Sequence, residues 1–169
     1  VVLSALAELV HSPPGRALLL LGYPDVYSAA DHVPEIMSFG PVALEGLDEG
    51  LVEDMKRMAI HPGYTDLLPQ GGGWLLCELG GETKAEAEAK ARGIMDTLRQ
   101  KGNPPSMKLY ADPAESEHVW KIRESGLGAT AHVPGKRLTW PGWEDSAVPP
   151  DKLGGYLRDF RALLTKHKL

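Results

Sequence analysis

Short unbroken apolar runs alternate along this chain with longer stretches of helical spacing. Arg16-Ala17-Leu18-Leu19-Leu20-Leu21-Gly22 is such a run, closed by Gly22-Tyr23-Pro24, and predicts a buried strand. Val26, Ala29, Ala30, Val33 and Met37 then recur at helical intervals. Pro34 sits inside that pattern and is expected to kink or shorten the helix, because it lacks an N–H and its ring crowds the preceding turn. Pro41 to Leu47 predicts a second strand. Asp48 is placed to cap a helix that buries Leu51, Met55, Met58 and Ala59. His61 to Gly73, with Pro62, Pro69 and Gly71-Gly72-Gly73, reads as the loosest stretch, a loop.

Trp74 to Leu79 predicts the third strand. Thr83-Lys84-Ala85-Glu86 has capping-box spacing, and Ala87, Ala91, Ile94, Met95 and Leu98 form one face of the helix behind it. Gly102, Pro104 and Pro105 stop that helix. Met107, Leu109 and Ala111 alternate with Lys108 and Tyr110, the pattern of a half-buried strand. Asp112 and Pro113 open a further helix. Gly126 to Gly142 reads as irregular, Glu144 to Val148 as a short strand, and Leu153, Tyr156, Leu157, Phe160 and Leu164 as the apolar stripe of a last helix.

Two β-α-β-α halves predict a ferredoxin-like α+β sandwich: a mostly antiparallel sheet with helices packed on one face. A doubly wound parallel sheet is the alternative the same order permits. No internal repeat or linker divides the chain, so residues 1–169 read as one domain, with 1–15 as a lead-in.

A chain of 169 residues is long enough for a real core. A net charge of −5 argues against nucleic acid as a partner, since backbone binding needs clustered Lys and Arg. No run approaches the roughly 20 apolar residues of a membrane-spanning helix. Val1-Val2-Leu3-Ser4 carries neither an initiator Met nor a signal-peptide pattern, so the chain reads as processed or excised and cytoplasmic. Cys77 is the single cysteine. It lies in an expected strand, where packing is its ordinary role and a reactive thiol the alternative.

Arg123 is the most informative residue. Val119, Trp120 and Leu127 lie at helical neighbour spacing from it, which places Arg123 on the packed stripe. A guanidinium there needs a partner. Its fork suits a carboxylate ligand, and equally an ion pair with Glu124, Asp145 or another acid. The segment from Trp140 through Trp143, Glu144 and Asp145 to Pro149-Pro150 concentrates indoles and acids. It reads either as a pocket wall or as a plug on the core. The six histidines are scattered and one cysteine builds no thiolate site, so no metal is expected from this chain. No GxGxxG follows a strand, Gly71-Gly72-Gly73 lacks a following Lys-Ser/Thr, and Gly135-Lys136-Arg137 reads as a solvated basic turn.

Val119-Trp120-Lys121-Ile122-Arg123-Glu124-Ser125 resembles the W-x-x-R-E helix in the C-terminal domain of FAD-linked oxidases of the vanillyl-alcohol oxidase type. That group includes D-lactate, glycolate and D-2-hydroxyglutarate dehydrogenases. Trp143-Glu144-Asp145-Ser146-Ala147-Val148-Pro149-Pro150, with Leu153, Tyr156, Leu157 and Phe160 behind it, is similar to the D-x-x-V-P strand and following helix of that domain. The Trp-Glu-Asp form is most similar to large bacterial members that fuse flavin and iron–sulfur modules.

The resemblance implies a cap domain that grips the carboxylate of a small 2-hydroxy acid through Arg123, with Trp140, Trp143 and Asp145 as further substrate contacts. It implies FAD held mainly by an upstream domain, an iron–sulfur cluster in a downstream one, and a cytoplasmic parent, peripheral to the inner membrane. Two positions depart from the 2-hydroxyglutarate branch: Leu127 stands where a threonine is found, and Trp143 where a lysine is found. The family's glycine- and histidine-rich motif, which supplies a catalytic base, is expected beyond Leu169. The fragment alone is therefore expected to be inactive, with no catalytic residue of its own. An exposed sheet edge is expected to permit a dimer. The competing expectation is a stand-alone ferredoxin-like module that binds a small molecule or assembles with a partner.

Overall fold

The computed structural model describes residues 3–131, 133–136 and 146–169. Strands β1 (Gly15–Tyr23), β2 (Ala43–Asp48), β3 (Gly73–Gly81) and β4 (Ser106–Tyr110) form one sheet in the order β2-β3-β1-β4. Every neighbouring pair is antiparallel, so the parallel doubly wound alternative does not hold and the α+β reading does.

The central strands are buried along almost their whole length. Leu18 and Leu20 face one core cluster, whereas Leu19 and Leu21 face the other. A strand covered on both sides reads as an unbroken apolar run because neither set of alternate side chains meets water. Each of these four leucines is at most 1% exposed, and each contributes roughly 1.5–3 kcal/mol by burial.

On one face, α1 (Val26–Asp31), α2 (Val33–Met37) and α4 (Lys84–Arg99) pack Ala29, Ile36, Ala91, Ile94 and Leu98 over Leu19, Leu21, Leu75 and Cys77. That is the helical layer the alternation predicts. The opposite face is covered as well. There α3 (Glu49–Arg57), α5 (Pro113–Glu124) and α6 (Gly126–Thr130) place Val52, Met55, Val119, Ile122 and Ala129 over Leu18, Leu20, Leu47, Trp74 and Leu76. Helices thus lie on both faces rather than one, as the two-sided burial of β1 and β3 requires.

Local signals set most boundaries. Asp25 caps α1 by accepting from the Ser28 amide at 2.7 Å, and the helix breaks at His32 so that Pro34 falls in the first turn of α2. Asp48 accepts from the Leu51 amide at 2.8 Å. Helix α3 ends at Arg57, two residues short of expectation; its buried residues are Val52, Asp54 and Met55, and Ala59 lies beyond it at φ 52°. Thr83 caps α4, and the Glu86 carboxylate accepts from the Glu82 amide at 2.8 Å.

The stretch before β3 is pinned rather than loose. A 3-10 turn spans Tyr64–Leu67, the Tyr110 hydroxyl donates to the Leu67 carbonyl at 2.7 Å, and the Trp74 indole donates to the Pro69 carbonyl at 2.7 Å. The expected irregular region holds α6, and residues 146–149 are not strand; the remainder of that predicted strand lies outside the described residues. Helix α7 (Leu153–Lys166) docks on α1 through Arg158, whose two terminal nitrogens bond the Asp31 carboxylate at 2.9 and 2.5 Å. Its stripe is only half covered, with Leu153 and Leu157 partly buried and Phe160 exposed.

Candidate functional site

Arg123 sits in the last turn of α5. The buried line of that helix runs through Val119 and Ile122, and Arg123 lies one residue, about 100° of rotation, beyond Ile122. Its side chain is 47% exposed, so the expectation that it lies on the packed stripe is corrected. Trp120, its neighbour at helical spacing, is itself only partly buried.

From that rim Arg123 reaches the edge strand β2, where its Nε donates to Glu45 Oε2 at 2.8 Å. Glu45 pairs in register with Leu76, which puts it on the sheet face that α5 covers. Among the described residues the acid is not Glu124, which bonds Lys121 at 3.2 Å; Asp145 lies outside the described residues. Both partners are partly open to solvent, 47% and 40% exposed, and such a pair is worth about 0–1 kcal/mol. It does not lock the guanidinium away. Among the described residues the terminal Nη groups of Arg123 make no hydrogen bond.

A cleft of about 680 Å³ runs along the outer edge of β2. Pro41, Val42, Leu51, Leu153 and Leu157 give it apolar walls, and Glu45 and Asp48 add carboxylates. A second cavity of about 640 Å³ is lined by Trp120, Glu124, Arg16 and Glu78. Arg16 is not equivalent to Arg123. It bonds Glu78 at 2.7 Å, the Pro13 carbonyl at 3.0 Å and Ser12 Oγ at 3.0 Å, so its fork is spent on fastening the lead-in to β3.

Two features escaped the sequence reading. Lys136, read as part of a solvated turn, donates to both oxygens of Asp54 at 2.5 and 2.8 Å. Asp54 is 5% exposed, and an acid on an otherwise mixed helix was the only available signal. Gly135, at φ 78°, supplies the left-handed turn that brings Lys136 to it. His61 and His118 both stack on Tyr64, with ring centroids 5.1 and 4.5 Å away, although 57 positions or so of sequence hid that neighbourhood. Trp140, Trp143 and Asp145, and the side chain of Leu127, lie outside the described residues.

Cys77 is fully buried, and burial pushes its thiol up to about 12, which leaves little nucleophilic thiolate at neutral pH. Among the described residues no group of three His, Cys, Asp or Glu side chains is arranged to hold a metal ion. Packing accounts for the glycine run. A Cβ on Gly71 would meet the Tyr23 carbonyl at 2.7 Å, one on Gly72 the Pro24 carbonyl at 2.6 Å, and one on Gly73 the Val26 amide at 2.3 Å. These glycines let the chain pass close to its own backbone.

Comparison with known proteins bears on this arrangement. Residues 12–169 match the family described as FAD linked oxidases, C-terminal domain. The chain is 22% identical over 178 residues to a D-2-hydroxyglutarate dehydrogenase of Haemophilus influenzae. It is 25% identical over 175 residues to one of Pseudomonas putida, and 22% identical over 178 residues to one of Escherichia coli. Each alignment takes in 99% of this chain. The chain spans about 17% of the length of the first two relatives and 18% of the third.

Proposed function

The chain belongs to the family of FAD-linked oxidase C-terminal domains, and from that premise we propose that it is the substrate-binding cap of an FAD-dependent oxidoreductase acting on a small 2-hydroxy acid. The observation that carries the reading is Arg123: a guanidinium at the helix rim, half open to solvent, with its Nη groups unspent among the described residues. A planar fork of this kind binds a carboxylate by two parallel hydrogen bonds. The relatives named as D-2-hydroxyglutarate dehydrogenases support a hydroxy-acid substrate.

In this reading the chain binds and orients, while FAD, held by another part of the parent, supplies the redox chemistry. Arg123 fixes the carboxylate end and thereby the direction of the α-carbon. Trp140, Trp143 and Asp145 are assigned to the same substrate side. The apolar cleft beside Glu45 shelters that side from water. Residues 1–15 lead in from the flavin-binding part. Among the described residues no helix is long and apolar enough to cross a membrane, and the reading includes a cytoplasmic parent. An iron–sulfur centre, where the parent has one, draws on other cysteines, because Cys77 is single and buried.

The test is anaerobic mixing of the full-length parent with D-lactate, glycolate and D-2-hydroxyglutarate, each beside the matching acid without the hydroxyl. Bleaching of the flavin by at least one hydroxy acid and by none of the controls is the expected result. A flavin that stays oxidised with all three rejects the proposal.

A further inference from the structure

We propose that Glu45 is a positioning residue for Arg123, holding the guanidinium by its side while the substrate carboxylate takes the end; this rests on the substrate role of Arg123 given above. A guanidinium offers its N–H groups along two useful edges, one shared by Nε and an Nη, the other by the two Nη groups. Glu45 uses the first. Its single bond is to Nε, at 2.8 Å, and the far edge is left for a second carboxylate. Had Glu45 been a stand-in for substrate, a bidentate grip on the fork would be the expected geometry, as Asp31 and Arg158 show elsewhere in this chain with bonds of 2.9 and 2.5 Å.

The two side chains come from different layers. Glu45 is anchored in the sheet by the β2–β3 register, whereas Arg123 rides on a helix whose Val119 and Ile122 are fixed in the core. A strand carboxylate thus sets the direction of a long, otherwise mobile helix side chain. Arginine loses rotamer freedom when it is ordered, and ordering it beforehand lowers what substrate binding must supply. Glu45 also lines the apolar cleft, so it joins the cleft to the arginine.

The roles of holder and competitor predict opposite signs. In the full-length parent, with whichever of D-lactate, glycolate and D-2-hydroxyglutarate reduces the flavin, Glu45→Ala is expected to raise KM by roughly fivefold or more while kcat changes far less. Glu45→Gln keeps an acceptor oxygen and is expected to fall between wild type and Glu45→Ala. Thermal midpoints should stay within about 2 °C of wild type, as for an exposed pair. A KM that falls in Glu45→Ala shows a competitor and overturns the inference, and an unchanged KM does so too. Arg123→Met, run beside them, separates the two levels. If it raises KM while Glu45→Ala does not, only the positioning role fails; if it leaves KM unchanged, the substrate role of Arg123 and the inference built on it both fail.

Discussion

Arg123 and Glu45 stand 78 residues apart in sequence and 2.8 Å apart in the fold. Their meeting joins a helix of one core layer to the outer strand of the sheet and sets a half-exposed guanidinium beside a residue that lines the apolar cleft. Everything proposed about substrate depends on that placement, whereas the stability of the domain rests on other contacts.

Backbone proximity at the glycine run gives the first of these. A Cβ at position 73 would sit 2.3 Å from the Val26 amide and 2.4 Å from the Asp25 carbonyl carbon, neither of which moves without shifting α1. Gly73→Ala is expected to destabilise by about 1–3 kcal/mol, the ordinary cost of overpacking. A lowered urea midpoint checks it. Gly93, with open space around its Cβ position, is the control, where Ala is expected to stabilise its helix slightly.

The Lys136–Asp54 pair gives the second. Removing the lysine strands a carboxylate that is 5% exposed, and Lys136→Met is expected to lower stability by about 1–3 kcal/mol. The double replacement Asp54→Leu with Lys136→Met leaves no orphan charge and should recover most of that loss. Equilibrium unfolding of the single and double variants decides it; a double variant as weak as the single one contradicts the account.

Tyr23 carries the only buried side-chain polar atom without a hydrogen-bond partner among the described residues, its hydroxyl. Burial, with Glu35 nearby, holds that phenol well above its usual range. Tyr23→Phe removes an unsatisfied group from the core and is expected to be neutral or to stabilise by up to about 1 kcal/mol. A loss of more than that amount on unfolding would reveal a partner for the hydroxyl.

Cys77 links burial to pH. Its thiol titrates at about 12 in the folded protein, against an ordinary value of 9.0. A folded value above the unfolded one means that the stabilising contribution is complete below pH 9.0 and is lost as pH rises from there toward 12. Between pH 8 and pH 10 wild type should therefore lose about 1 kcal/mol more stability than Cys77→Ala does. In the native state at pH 8 the thiol should also resist alkylation, and it should react once urea unfolds the chain.

These contacts differ in how far the sequence discloses them. The Leu18–Leu21 run, the Thr83–Glu86 cap and the Asp112-Pro113 start are written in adjacent residues, so β1, α4 and α5 were legible directly. Ile122 and Arg123 were legible as helix but not as inside and outside, because a residue at the margin of an apolar stripe is placed by what packs over it. The partners of Arg123 and Lys136 lie 78 and 82 residues away, and no local pattern encodes a meeting of that span. Coverage of the second sheet face was hidden likewise, since it depends on α3, α5 and α6 returning to the same side.

Substrate recognition by Arg123 is the central claim, and its most direct measurement is flavin reduction in the full-length parent by the productive hydroxy acid, comparing wild type with Arg123→Met and Arg123→Lys. The account predicts that Arg123→Met weakens apparent substrate binding tenfold or more, about 1.4 kcal/mol. Arg123→Lys, with charge but no fork, should fall in between. A folded Arg123→Met protein that binds and reacts like wild type would contradict it, leaving Arg123 as the exposed partner of Glu45 and nothing more.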